Sequence, residues 1–410
     1  MSIRIRIAMA MAAATSMVLA TMTPAMAKDK LRVTVAYYSA ATEPYFKKQA
    51  ERFMASHPDI DVQVQVVNWD NLQQKLTTDI ASGVNPDIAL IGTRWLVDFV
   101  KQDLVEPLDP LANGEFKDRF IGTFLSPGEI DGALYGLPIA ASARAMFYNK
   151  DLFAKAGISG PPKTWDDVIS ASEKLVSVGA YGYGIQGKEI DTDVYFYFPL
   201  WTNGGDIVGK DGKLALNSDA GVRAATTYKT LIDKGLTQPG VTGYSREGVQ
   251  DLFKQGRLGM VLSLPFLSGQ IQKEAPNIKY GIAPIPEGTN AATYAVTDSI
   301  VMFKNTRHKQ AAWAFLDQLF SQDARIEFTK GEGFLPTTKS EAEDPFFQNN
   351  ADLKAFVDLL PNAKFAPLIA NWEGVSTAVI RNLQLLYLGE KSPKEAMDAA
   401  NAEAAQAMQQ

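Results

Sequence analysis

Leu134-Tyr-Gly-Leu-Pro138, Ala145-Met-Phe-Tyr-Asn-Lys150 and Pro162-Lys-Thr-Trp-Asp166 follow one another with short gaps, and their order decides the architecture. Gly136 and Pro138 punctuate the chain, and the apolar run from Ala145 to Tyr148 has the length of a buried strand. Asp151-Leu-Phe-Ala-Lys-Ala-Gly157 then reads as a short helix closed by glycine. After the Pro161-Pro162 break, Thr164-Trp-Asp-Asp167 carries the capping-box pattern that opens the next helix. Such a passage is expected where a chain leaves one α/β unit, here after Pro138, and enters another.

Working outward, 410 residues exceed what one hydrophobic core usually serves, and 46% apolar with 21% charged residues describes an ordinary globular protein. Arg4 and Arg6 precede an apolar run from Ile7 to about Ala20, and Ala25-Met-Ala27 has the small residues of a cleavage site, so residues 1–27 read as a secretory signal peptide. No cysteine is present to form disulfides or carry a lipid. Without Arg4 and Arg6, 38 basic residues face 46 acidic ones, a net charge of -8, and no basic stripe invites nucleic acid.

Leu31 to Tyr38 alternates as a first strand, and Asp61 to Val67 as a second that stops at Asn68-Trp-Asp70. The buried run Ile88 to Ile91 is a third, ending in Gly92-Thr-Arg-Trp95. Ligands sit beyond the carboxyl ends of strands in open α/β sheets, so these three ends are expected to converge. Further on, Leu258 to Phe266 and Tyr280 to Pro286 read as buried strands, with the prolines of the latter marking a second crossing. A strand to Phe303 follows Thr297-Asp-Ser299, and Gly331-Glu-Gly-Phe-Leu-Pro336 is a third crossing candidate. Ser392-Pro-Lys-Glu395 caps the last helix.

This ordered set resembles the extracellular solute-binding proteins of bacterial ABC importers, in the carbohydrate-binding branch typified by maltose-binding protein. It comprises Asn85-Pro-Asp87, Tyr-Gly-x-Pro, Asn203-Gly-Gly205, Phe253-x-x-Gly256, Ala312-Trp313-x-Phe315 and Leu335-Pro336. The resemblance implies an α/β, two-lobe periplasmic binding protein fold of type II, each lobe an α/β sheet sandwich, joined by a multi-segment hinge. The lobes would be 28–139 with 297–340, and 140–296 with 341–410. It implies a monomeric, periplasmic, non-enzymatic receptor without cofactor, which delivers a carbohydrate to the permease subunits in the inner membrane. Residue by residue, it assigns ligand contacts to Tyr38 and Ser39, to Thr93, Arg94 and Trp95, to Asp193 and Tyr195, and to Trp372. Leu264-Pro-Phe266 stands where the family often has a glycine-tryptophan end, and Thr297-Asp-Ser299 where it is usually glycine-rich.

Elementary chemistry points to the same residues. A sugar ring stacks its C–H face on an aromatic ring, and its hydroxyls favour charged partners. Trp69, Trp95, Tyr195, Phe266 and Trp372 offer faces, while Arg94, Asp193, Asp298 and Asn371 offer hydrogen bonds. Two further readings keep the chain in view: the same fold holding a polyol, sugar phosphate or acidic sugar through Arg94 and Arg144, or a carbohydrate-active enzyme pairing Asp193 with Glu373 or Asp298. Gly182-Tyr-Gly-Ile-Gln-Gly187 matches a phosphate-loop spacing, but lacks the strand before it and the helix start after it. His57 and His308 stand away from other metal-binding side chains, and the tyrosine pairs lack a histidine–carboxylate cluster, so no metal site is expected.

Overall fold

The computed structural model describes residues 28–188 and 191–409, and the segment read as a signal peptide lies outside them. Two principal sheets organise the chain. The first has five strands in the order Ile60–Val67, Asp29–Ala36, Ile88–Gly92, Val296–Met302 and Gly136–Ser142. Its first three are parallel, and Val296–Met302 runs antiparallel to both its neighbours. The second orders Tyr280–Ala283, Ala145–Asn149, Leu258–Ser263 and Tyr181–Tyr183. Helices pack against both, and each sheet has its own hydrophobic core, seeded by Val33, Leu90 and Phe315 in one and by Met146, Met260 and Trp165 in the other. Among the described residues no helix is long and apolar enough to cross a membrane.

Local chemistry explains the element ends. Thr164 Oγ1 accepts from the Asp167 amide while Asp167 accepts from the Thr164 amide, closing the capping box, and Ser392 with Glu395 repeats it with Pro393 at the first helical position. Gly157 and Gly235 stand at positive φ just past their helices. The aromatic run after Asp191 forms the helix Thr192–Thr202, buried on every side, as its unbroken apolar surface requires.

The first crossing lies later than the sequence suggested. Gly136–Ser142 remains in the first sheet throughout, so the chain changes sheets at Ala143-Arg144 and not after Pro138. Pro138 does not break the strand because that strand is at the sheet edge, opposite a bulge at Asp298/Ser299, where a missing N–H costs no ladder bond. The strand at Leu258 likewise stops at Ser263, and Phe266 opens a helix. Thr297-Asp-Ser299 lies inside its strand and not before it.

The three connections between the sheets are tied to one another. The Arg144 amide donates to Thr293 Oγ1 at 3.2 Å and Thr293 Oγ1 donates to the Arg144 carbonyl at 2.7 Å, joining the first to the second. The Leu335 amide donates to the Ala141 carbonyl at 2.9 Å, joining the third to the first. Beside them Arg325 and Glu341, both fully buried, pair at 3.2 Å, and Arg325 Nη1 donates to the Ile139 carbonyl at 2.7 Å.

Candidate functional site

Because three neighbouring strands of the first sheet run parallel, their carboxyl ends emerge together. The first delivers Tyr38 and Ser39, the second Trp69 at the start of its helix, and the third the short turn Thr93–Trp95. The antiparallel strand places Asp298 opposite Gly92. The Tyr38 hydroxyl donates to Asp298 Oδ2 at 2.7 Å, and Tyr38 packs against Trp69, which in turn meets Trp95 edge-on at 5.9 Å. Thr93 Oγ1 lies 2.7 Å from Ser299 Oγ and accepts from Thr297, so its hydroxyl is engaged in holding the two strands together. Ser39 Oγ accepts from the Ala41 amide at the start of the next helix.

From the other side come Asp191 and Asp193 at the start of the helix Thr192–Thr202, and Trp372 and Glu373 at the start of Trp372–Tyr387. Asp191 and Asn371 adopt positive φ, which turns each helix start sharply. Arg94 Nε donates to Glu373 Oε1 at 2.5 Å and Trp95 Nε1 donates to the same oxygen at 2.7 Å. Arg94 also lies 3.9 Å from Asp191, whose other oxygen is 3.3 Å from Arg246. The Asn371 amide donates to Asp98 of the first unit at 3.0 Å. Residues 94–98 and 371–373 thus clasp the two units together.

The electrostatics follow from burial. Burial drives the Asp193 carboxyl up, Asp191 adds to the rise, Ser376 and Arg94 oppose it, and the result is about 6. Burial likewise lifts Asp298 to about 6 against the Tyr38 hydroxyl, Arg94 and Arg144. Burial works against the charge on Arg94, but Glu373 and Asp191 outweigh it and hold its proton more tightly than usual.

The expected ligand residues are not equivalent. Tyr38, Trp69, Arg94, Trp95 and Asp298 are brought together, while Asp193 is buried and accepts from the Tyr197 hydroxyl at 3.2 Å. Tyr195 is buried with its hydroxyl unpartnered among the described residues, while Phe266 lies under the Arg246 guanidinium. Trp372 is 1% exposed and packs on Tyr197 within the second core. The Asn371 side chain caps its own helix and donates to the Ala407 carbonyl, so it serves structure. Sequence reading passed over Asp191, Arg246 and Tyr294. The unusual Asp191 backbone, at positive φ before an aromatic helix, has no pattern of its own in the residues. No group of three or more metal-ligating side chains exists among the described residues.

Comparison with known proteins adds kinship to this geometry. The family model described as bacterial extracellular solute-binding protein matches residues 39–326. A protein of Brucella abortus, named only as a binding protein, is 53% identical over 94% of this chain and 95% of its own. The galactooligosaccharide-binding protein of Bacillus subtilis is 25% identical, covering 83% of this chain and 82% of its own. Among solved structures, an ABC transporter solute-binding protein of Thermotoga lettingae bound with α-D-tagatose superposes with a TM-score of 0.84 at 25% identity, covering 93% of this chain and all of that one.

Proposed function

The chain belongs to the bacterial extracellular solute-binding proteins, and from that premise we propose that it captures a carbohydrate between its two lobes for an ABC-type importer. One observation carries the reading. Arginine, carboxylate and aromatic side chains from both units meet at residues 94–98, 191–193, 298 and 371–373, where strand ends face helix starts. Such a junction offers ring faces and charged hydrogen-bond partners together, which is what a sugar requires. A ligand touching both sides favours the closed arrangement by its differential affinity. The oligosaccharide named for the Bacillus subtilis relative and the tagatose in the Thermotoga lettingae protein support the ligand class.

In this reading the protein works in the periplasm as a monomer, after removal of residues 1–27, and the permease subunits recognise its closed form. The lobes would comprise 28–142 with 297–340 and 143–296 with 341–410, a first bound that the pairing of Gly136–Ser142 within the first sheet supports in place of 139. It acts without covalent chemistry. Of the two carboxylates an enzyme could pair with Asp193, Glu373 already accepts two hydrogen bonds through one oxygen and Asp298 accepts the Tyr38 hydroxyl.

A thermal-shift screen of the mature protein against mono-, di- and oligosaccharides and polyols tests this. A ligand at a hundred times its Kd adds about 2.7 kcal/mol, and a responder should be recovered chemically intact. Hydrolysed product, or no response to any carbohydrate, would overturn the proposal.

A further inference from the structure

Glu332 ends the helix Gln322–Glu332 at the start of the third connection, and it is 7% exposed. Its Oε1 accepts from the Thr42 hydroxyl at 2.6 Å, whereas Oε2 is buried with no hydrogen-bond partner among the described residues. Burial lifts its carboxyl, and the Thr42 and Ser39 hydroxyls oppose the rise. Glu341 makes the contrast: fully buried, it pairs with Arg325 and accepts from the Thr329, Thr337 and Thr338 hydroxyls. A carboxylate so well satisfied holds a fold together, but one with a buried oxygen unpaired burdens it. The role of Glu332 therefore lies in what it holds.

Thr42 opens the helix Thr42–Ser56, and its Oγ1 accepts from the Tyr38 amide at 3.0 Å and from the Ser39 amide at 3.1 Å. A hydroxyl has two acceptor sites and one proton. With both acceptor sites taken by those amides, the proton is directed to Glu332, and the carboxylate fixes the rotamer on which both amides depend. Phe334, two residues further on, meets the Tyr38 ring edge-on at 4.8 Å, so the same connection holds Tyr38 by its backbone and by its ring. Between these two holds Gly333 turns at a φ of +77°, and a side chain there would meet the Cβ of Phe266, from the second unit, at 3.4 Å. The second unit thus bears on the connection at the residue next to Glu332.

Resting on the carbohydrate reading above, we propose that Glu332 is a positioning residue: through Thr42 it fixes the strand end bearing Tyr38 and Ser39 in the arrangement that receives ligand, and it ties that arrangement to the third connection.

Hydrogen exchange resolved to single amides, on the full mature protein without ligand, reads this path directly. Thr42→Val removes the acceptor at nearly constant volume and should speed exchange at the Tyr38 and Ser39 amides about tenfold. Glu332→Met leaves the threonine in place and should speed both about fivefold, and the double variant should exceed Thr42→Val by no more than about twofold, because one path is cut twice. Thr42→Ser keeps the hydroxyl and should stay within about twofold of the parent. Calorimetric titration with maltose, D-tagatose and galactobiose, using whichever the parent binds, should find Glu332→Met about tenfold weaker with a melting temperature that is unchanged or higher. A purely structural carboxylate would do the reverse, lowering the melting temperature and sparing affinity. Should Glu332→Met not fold, Glu332→Gln takes its place, with about threefold faster exchange because a neutral acceptor replaces a charged one. Exchange at both amides unchanged in the folded variant, effects that add to those of Thr42→Val, or affinity equal to the parent's would each overturn the positioning role and leave the carbohydrate reading intact. A parent that binds no carbohydrate would remove that reading, while the exchange rates still decide whether Glu332 holds the strand end.

Discussion

Replacing Glu373 by glutamine should open the protein. One oxygen of Glu373 receives both Arg94 Nε at 2.5 Å and Trp95 Nε1 at 2.7 Å, across the junction between the units. The side chains of Arg94 and Glu373 are about one-fifth exposed, at 19% and 22%, so the pair is neither fully screened nor fully dry. A hydrogen bond to a charged group contributes about 1.5–3 kcal/mol. Partial exposure reduces that, and a glutamine carbonyl still accepts from Trp95, which leaves a net loss of about 2 kcal/mol. That corresponds to about a thirtyfold shift of the closed-to-open ratio. Small-angle scattering of the ligand-free protein reads this directly, with a larger radius of gyration and maximum dimension for Glu373→Gln. A cycle with Arg94→Gln should show the two changes to be non-additive, because they remove the same contact. Identical scattering for parent and variant, or additive effects, would refute the clasp.

Two further outcomes follow from buried carboxyl groups. Burial raises Glu341, but Arg325 and the Thr329 and Thr338 hydroxyls outweigh it and hold its carboxyl below the ordinary value. Its stabilising contribution is therefore present above the unfolded value and lost as pH falls through the folded one. Glu341→Gln should cost about 3–5 kcal/mol at pH 7, with a smaller difference from the parent in acid, as urea melts at the two pH values would show. Asp193 has the opposite sign. Its folded value of about 6 against an ordinary 3.8 means the ionised group burdens the fold above pH 6, by about 3 kcal/mol, and the burden eases as pH drops towards 4. Asp193→Asn should raise the melting temperature at pH 7.5 and much less at pH 4.5, while weakening sugar binding. A variant less stable at pH 7.5 would contradict that sign.

Much of this was legible in the chain because its signals are local. Thr164 and Asp167 form a capping box from residues three apart, and Ser392 with Glu395 does the same. Convergence of Tyr38, Trp69 and Arg94 needed only three parallel strands, whose ends must lie on one side. Pro138 misled because proline is punctuation in sequence, whereas at a sheet edge it is tolerated, and edge status is set by a partner strand over 150 residues away. Trp372 illustrates the same limit. A tryptophan opening a helix reads as a ligand platform, and how deeply it is buried in the second core depends on residues far away in sequence. Arg144 could be suspected of holding an anion from its charge alone, but that its Nε lacks a partner among the described residues is a property of the assembled hinge.

The strand Val296–Met302 lies inside the first sheet, between Ile88–Gly92 and Gly136–Ser142. A ribosome or a membrane pore that delivers the chain from its amino end therefore presents four of five strands long before the one that belongs between two of them. Until Met302 emerges, an apolar edge stays unpaired, and closing so distant a pairing is slow. The chain consequently has an extended interval in which it stays unfinished. That is compatible with passage through a narrow pore, and it is when a holding chaperone would matter most.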